Sequence, residues 1–228
     1  MKTYIVKILS FSSHLLNIVP SVLACPTLSK LIFPAVLPTE PGSGIRLDSA
    51  ENFTESIIPK DFYTESLVNI PLISINGLEF SSTIYLKKTI TPNVINLKFT
   101  SQHWEMKTIT LTDLKCLFDE IIPAFKADYG SVYAEKSSST ASAKYIRTPE
   151  FRSYPLEIDW LTYMGSEMVS LLGRERLSAL KTYAEKYDCY EGTIILLQEE
   201  PLCQGNPDHQ TRQSQAQAEL KLAELALS

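Results

Sequence analysis

Two hydrophobic periods stand close together in the middle of this chain, and together they restrict its fold more than any other feature. Asn93 to Thr100 alternates with period two. Ile95, Leu97 and Phe99 point one way and Asn96 and Lys98 the other, the pattern of a half-buried strand. Residues 111–127 then switch to three- and four-residue steps, with Leu114, Leu117, Phe118, Ile121, Ile122 and Phe125 forming one apolar stripe. The predicted class is therefore α+β, a mostly antiparallel sheet with helices packed on one face. A length of 228 residues fits one large domain or two small ones, at roughly 150 residues per domain. A single domain over residues 1–228 is the expectation, because strand and helix signals resume unchanged on both sides of the Ser-rich stretch 136–144, read as a mobile surface loop.

Other elements follow from the same signals. Phe80 to Leu86 is β-branched and aromatic, and Thr91-Pro92-Asn93 supplies the turn that pairs it with the next strand. Thr110 with Asp113, or Thr112 itself, caps the central helix. Pro123 is expected to kink it or end it early, with Tyr129-Gly130 closing the element and Ser131 to Ala134 leaving it as a strand. Residues 57–75 look irregular, with one strand among them. Downstream, Trp160 to Met164 reads as a strand and Ser166 as the cap of a helix ended by Gly173. Leu177 and Leu180 mark a second short helix, and Thr193 to Gln198 a central strand. Asn206-Pro207 opens the last helix as cap and first residue, with Leu220, Leu222 and Leu225 docking on the domain.

The first 25 residues admit two readings. Val22-Leu23-Ala24-Cys25 is similar to a bacterial lipoprotein signal, which would leave a chain anchored through Cys25 after export. Lys7, Ser12, Ser13, His14, Asn17 and Pro20 interrupt the apolar run that such a signal needs. The favoured alternative is a strand over Tyr4 to Leu9 and an apolar helix from His14 to Ala24 in a cytoplasmic protein. No later segment approaches the length of a membrane span.

Chemistry is harder to find. Cys25, Cys116, Cys189 and Cys203 are scattered, as are His14, His103 and His209, and none falls at metal-ligand spacing. No phosphate-cradling glycine loop or serine-nucleophile motif is present, so neither cofactor nor metal is expected, and no enzymatic activity. The pairs Asp119/Glu120 and Glu199/Glu200 read as solvated charges. Glu157 and Asp159, two apart, would share one face of a strand. With 21 basic against 26 acidic side chains the net charge is −5, which argues against direct nucleic-acid binding; a charge of this size first of all keeps a protein soluble, and it also suits a basic protein partner. Tyr145, Phe151, Tyr154, Trp160 and Tyr163 crowd the third quarter of the chain. Such rings anchor interfaces and also fill cores, and for Trp160 the strand-like context favours core.

The order Trp160-Leu161-Thr162-Tyr163, Gly192-Thr193-Ile194-Ile195-Leu196 and Asn206-Pro207-Asp208-His209 resembles the immunity protein 52 family of bacterial polymorphic-toxin and type VI secretion systems. The likeness covers roughly residues 111–220 and takes in the helix ending at Asp128-Tyr129-Gly130; Ser166 to Gly173 is similar to related immunity families as well. It implies a non-enzymatic antidote that binds a cognate secreted toxin stoichiometrically, with nucleases a frequent toxin class. Glu157, Asp159, Trp160 and Tyr163 are the candidate contacts, acidic and aromatic groups lying together. Two other readings stay open: an adaptor or chaperone for a secreted effector, and an enzyme whose site is assembled from distant residues.

Overall fold

The computed structural model describes residues 1–12, 18–39, 43–53, 64, 67–86, 90–135, 145–148, 150, 152–203 and 205–225. The chain forms two compact units, Met1–Ala127 and Asp128–Ser228. Both combine antiparallel strands with helices, so the class is α+β.

In the first unit, β1 (Thr3–Ser10) leads to α1 (Ile18–Leu23), α2 (Pro26–Ile32), β2 (Ala35–Pro38), β3 (Gly44–Leu47) and a single 3-10 turn. After these come β4 (Leu67–Ser74), β5 (Glu79–Tyr85), β6 (Asn93–Thr100), α3 (Ser101–Glu105) and α4 (Leu111–Phe125). The strands lie in the order β1-β6-β5-β4-β2-β3, all antiparallel. Register puts the apolar sets in line. Tyr4, Val6 and Ile8 oppose Phe99, Leu97 and Ile95, while Phe80 opposes both Leu97 and Leu72. All of these are buried, and the alternate positions Lys7, Lys98, Glu79 and Asn69 are not. Period two thus makes a two-faced sheet, whose apolar face is the one that needs the helices.

The six stripe residues of α4 are all buried. Thr110 is the cap: its hydroxyl accepts from the Asp113 N–H and the Asp113 carboxylate accepts from the Thr110 N–H, a reciprocal box. The expected early break at Pro123 does not occur. The helix runs on to Phe125 because Pro123 sits in the last turn, and Lys126, at φ 47°, closes it in the left-handed conformation. Tyr129-Gly130 therefore belongs to the following strand. The one strand expected within residues 57–75 is the eight-residue β4, with Pro71 inside it. The helix α2 was not foreseen, and the start of the helix expected from His14 lies outside the described residues, as does the Ser-rich stretch 136–144.

The second unit contains β7 (Tyr129–Ala134), the small pair β8 (Tyr145–Arg147) and β9 (Ser153–Pro155), and then β10 (Leu161–Met164), α5 (Ser166–Leu172) and α6 (Arg174–Ala179). It ends with β11 (Glu185–Cys189), β12 (Gly192–Leu196), α7 (Pro207–Glu219) and α8 (Leu222–Leu225). Its main strands run in the order β11-β12-β10-β7, antiparallel throughout. β12 is central, as its apolar run requires. Gly165, not Ser166, occupies the cap position of α5, and Gly173 ends that helix at φ 83°. Asn206 caps α7, accepting from the Asp208 N–H at 3.0 Å. Leu220 and Leu222 are buried, as docking demands.

Candidate partner-binding surfaces

The four residues singled out from the sequence lie on the segment that enters β10. Residues 156–159 form no strand, so Glu157 and Asp159 are not two positions on one strand face. Trp160 and Tyr163 are each 0% exposed and Asp159 is 8% exposed. Only Glu157 keeps intermediate exposure. The indole N–H of Trp160 donates to the Gln198 carbonyl at 2.8 Å, and its backbone binds Val132 and Leu197 on either side. The two rings therefore belong to the core of the second unit and present no surface to a partner. Asp159→Lys would force an ammonium group into a nearly buried position and so act on stability as well as on any contact.

The resemblance motifs have local structural roles of the same kind. A Cβ on Gly192 would stand 2.1 Å from the Met164 carbonyl oxygen and 2.7 Å from the Tyr163 ring, so the Gly-Thr-apolar strand packs where only glycine fits. The Cys203 N–H donates to His209 Nδ1 at 3.0 Å, tying the loop after β12 to the first turn of α7. Gln213 reaches the Ile158 carbonyl at 2.7 Å and Arg212 the Leu197 carbonyl at 3.1 Å.

Tyrosines and carboxylates are interleaved in this unit. Burial, and after it the nearby carboxylate of Asp159, pushes the Tyr129 hydroxyl well up. Tyr133 is raised to about 12, by burial first and then by Asp159 and Glu135. Tyr154 donates to the Glu167 carboxylate, which also takes a 3.0 Å bond from Arg152. All three phenols stay protonated at neutral pH, and those of Tyr129 and Tyr154 donate, to the Glu157 carbonyl and the Glu167 carboxylate. Among the described residues no group of three or more His, Cys, Asp or Glu side chains is placed to hold a metal ion.

Charge is unevenly divided between the units. Residues 1–127 hold 11 acidic and 11 basic side chains, a net charge of zero; residues 128–228 hold 15 acidic and 10 basic, and so the whole −5. Asp188, Glu191, Glu199, Glu200 and Asp208 are all exposed. A groove of about 630 Å³ opens at the β11–β12 hairpin, with Val169, Leu177, Tyr187, Asp188, Tyr190 and Glu191 among its lining. The first unit offers a different surface, a hollow of about 420 Å³ on the half-exposed face of its sheet, where Ile5, Ile73, Glu79 and Lys98 meet.

Sequence reasoning missed β11 altogether, because Glu185 to Cys189 has too few apolar residues to show a period. The one cue available was Tyr190-Glu191-Gly192 ahead of a strong strand, a turn without an obvious partner. No protein-family model matches the chain, and no curated protein matches it either.

Proposed function

We propose that this chain is an immunity protein, which neutralises a cognate secreted bacterial toxin by binding it stoichiometrically. The observation that carries the reading is the confinement of the net negative charge to Asp128–Ser228, most of which also lies within the stretch that resembles the immunity families. A toxin that acts on nucleic acid must carry a basic surface, and an acidic antidote is complementary to it; such pairing raises the association rate and selects the partner. A nuclease is the toxin class that fits best. The protein's task is then to cover a site on its partner, and no chemistry of its own is needed.

The lipid-anchored variant of this role would require cleavage ahead of Cys25. That cut would remove β1, which pairs with β6 along all eight residues, and Cys25 itself is buried. No helix among the described residues is long and apolar enough to cross a membrane. The pairing of β1 with β6 supports the form of the role in which the first unit stays whole.

The test is growth of a host that expresses the product of the adjacent gene, with and without this protein. Restored growth with a co-purifying complex is the expected result. Persistent killing with both proteins soluble overturns the pairing. A complex that forms while killing continues favours the adaptor role instead.

A further inference from the structure

Cys189 pairs with Gly192, so the β11–β12 hairpin turns on two residues, Tyr190 and Glu191. Tyr190 has φ 54°, a backbone that glycine and asparagine adopt readily and a bulky side chain adopts only with strain. Tyr190 lines the groove and still leaves 52% of its surface exposed. Backbone strain of this kind clusters at functional and ligand-contacting sites. Asp188 and Glu191 are exposed on either side of it.

The groove beside this turn has apolar side chains, Val169 and Leu177, and two cations, Arg174 and Lys186. Lys186 is directed at α6: its ammonium donates to the Leu177 carbonyl at 2.8 Å and stands 5.1 Å over the Tyr183 ring. Arg174 begins α6. Positive charge thus belongs to the α6 side, while the turn itself offers an aromatic face and two carboxylates.

We propose that the β11–β12 turn is the docking point for a basic segment of a partner protein. A partner arginine or lysine would lie on the Tyr190 ring with Asp188 and Glu191 as its counter-charges, and the apolar groove would take the neighbouring residue. A ring face and a carboxylate together are the chemistry that selects a guanidinium. Arg174 keeps a second cation off the α6 side and so orients the segment. This inference rests on the reading of the second unit as the acidic, partner-binding one.

The experiment is a backbone-amide NMR titration of the full chain at low salt with a short arginine–glycine peptide, using a glutamate–glycine peptide as control. Shifts concentrated at residues 186–193 are expected with the basic peptide alone. Tyr190→Asn relaxes the backbone, so its melting temperature should hold or rise while affinity falls about tenfold; Tyr190→Phe keeps the ring and should keep binding. Shifts spread equally over Glu199, Glu200 and Asp208, with no effect of Tyr190→Asn, overturn the docking point. A protective toxin complex indifferent to Tyr190→Asn also overturns it and leaves the immunity role intact. Peptide binding at the turn without protection from any toxin sinks the immunity role and leaves the docking point standing.

Discussion

Single atoms decide several properties of this protein. Ser82 lies on the buried face of the first sheet, cross-strand from Ile70 and Ile95, and its hydroxyl has no hydrogen-bond partner among the described residues. Ser82→Ala should therefore raise stability, by about 1 kcal/mol, since it removes an unsatisfied polar group; a fall in the urea midpoint would contradict this. Glu219 takes bonds from the Lys181 N–H at 2.6 Å and from the Thr182 N–H and hydroxyl at 2.9 and 2.6 Å. The Thr182 hydroxyl bond and the Lys181 backbone bond hold its carboxyl down at about 2, against an ordinary 4.5. A depressed folded-state value means the stabilisation is complete above about pH 4.5 and vanishes as the pH falls towards 2. The melting temperatures of the native chain and of Glu219→Gln should accordingly converge over that window. Gly192→Ala should cost about 3 kcal/mol, measured by chemical denaturation, because its Cβ would meet backbone, which cannot yield as a flexible side chain would.

At the scale of elements, caps and crossings hold the helices in place. Glu120, read from sequence as a solvated charge, accepts from the Thr27 N–H at 2.8 Å and the Thr27 hydroxyl at 2.7 Å. It caps the first turn of α2 from α4, a role normally filled by the residue before a helix; Cys25 stands there and makes no side-chain cap. Glu120→Ala should cost about 1–2 kcal/mol in chemical denaturation. His103 joins α3 to the β4–β5 turn. The Thr100 N–H donates to Nδ1 at 3.0 Å, so the proton sits on Nε2, 2.8 Å from the Asn76 carbonyl. Trp160→Phe removes the bond to Gln198 and leaves a small void, and should lower stability by about 2–3 kcal/mol. Because the ring is buried, partner affinity measured well below the melting temperature should not change.

For the whole molecule, the uneven charge has kinetic consequences. If the second unit meets a basic toxin, association should slow by about tenfold between low and high salt, while dissociation changes less. Stopped-flow measurement against the purified partner checks this; a salt-independent association rate would show that the net charge is irrelevant to docking. Reversal of Glu191 to lysine should reduce the association rate more than the same change at Glu51, which lies in the neutral unit and is also exposed.

The sequence alone was sufficient for the class of fold and for its clearest elements, because periodicity and caps are local. The alternation at 93–100, the stripe at 114–125 and the Asn206 cap depend on neighbours within a few residues. It left out β11, whose polar residues become a strand only because β12 lies beside them. Nor does it show that Tyr163 and Asp159, offered as candidate contacts beside Trp160, are buried, since residue type does not say which side chains the chain will cover. The identity of Glu120 as a cap, and the meeting of Tyr190, Asp188 and Glu191 at one turn beside α6, depend on contacts between residues that are distant in sequence or on backbone angles no pattern reports. Those are decided only when the chain closes on itself and each side chain takes either water or protein as its surroundings.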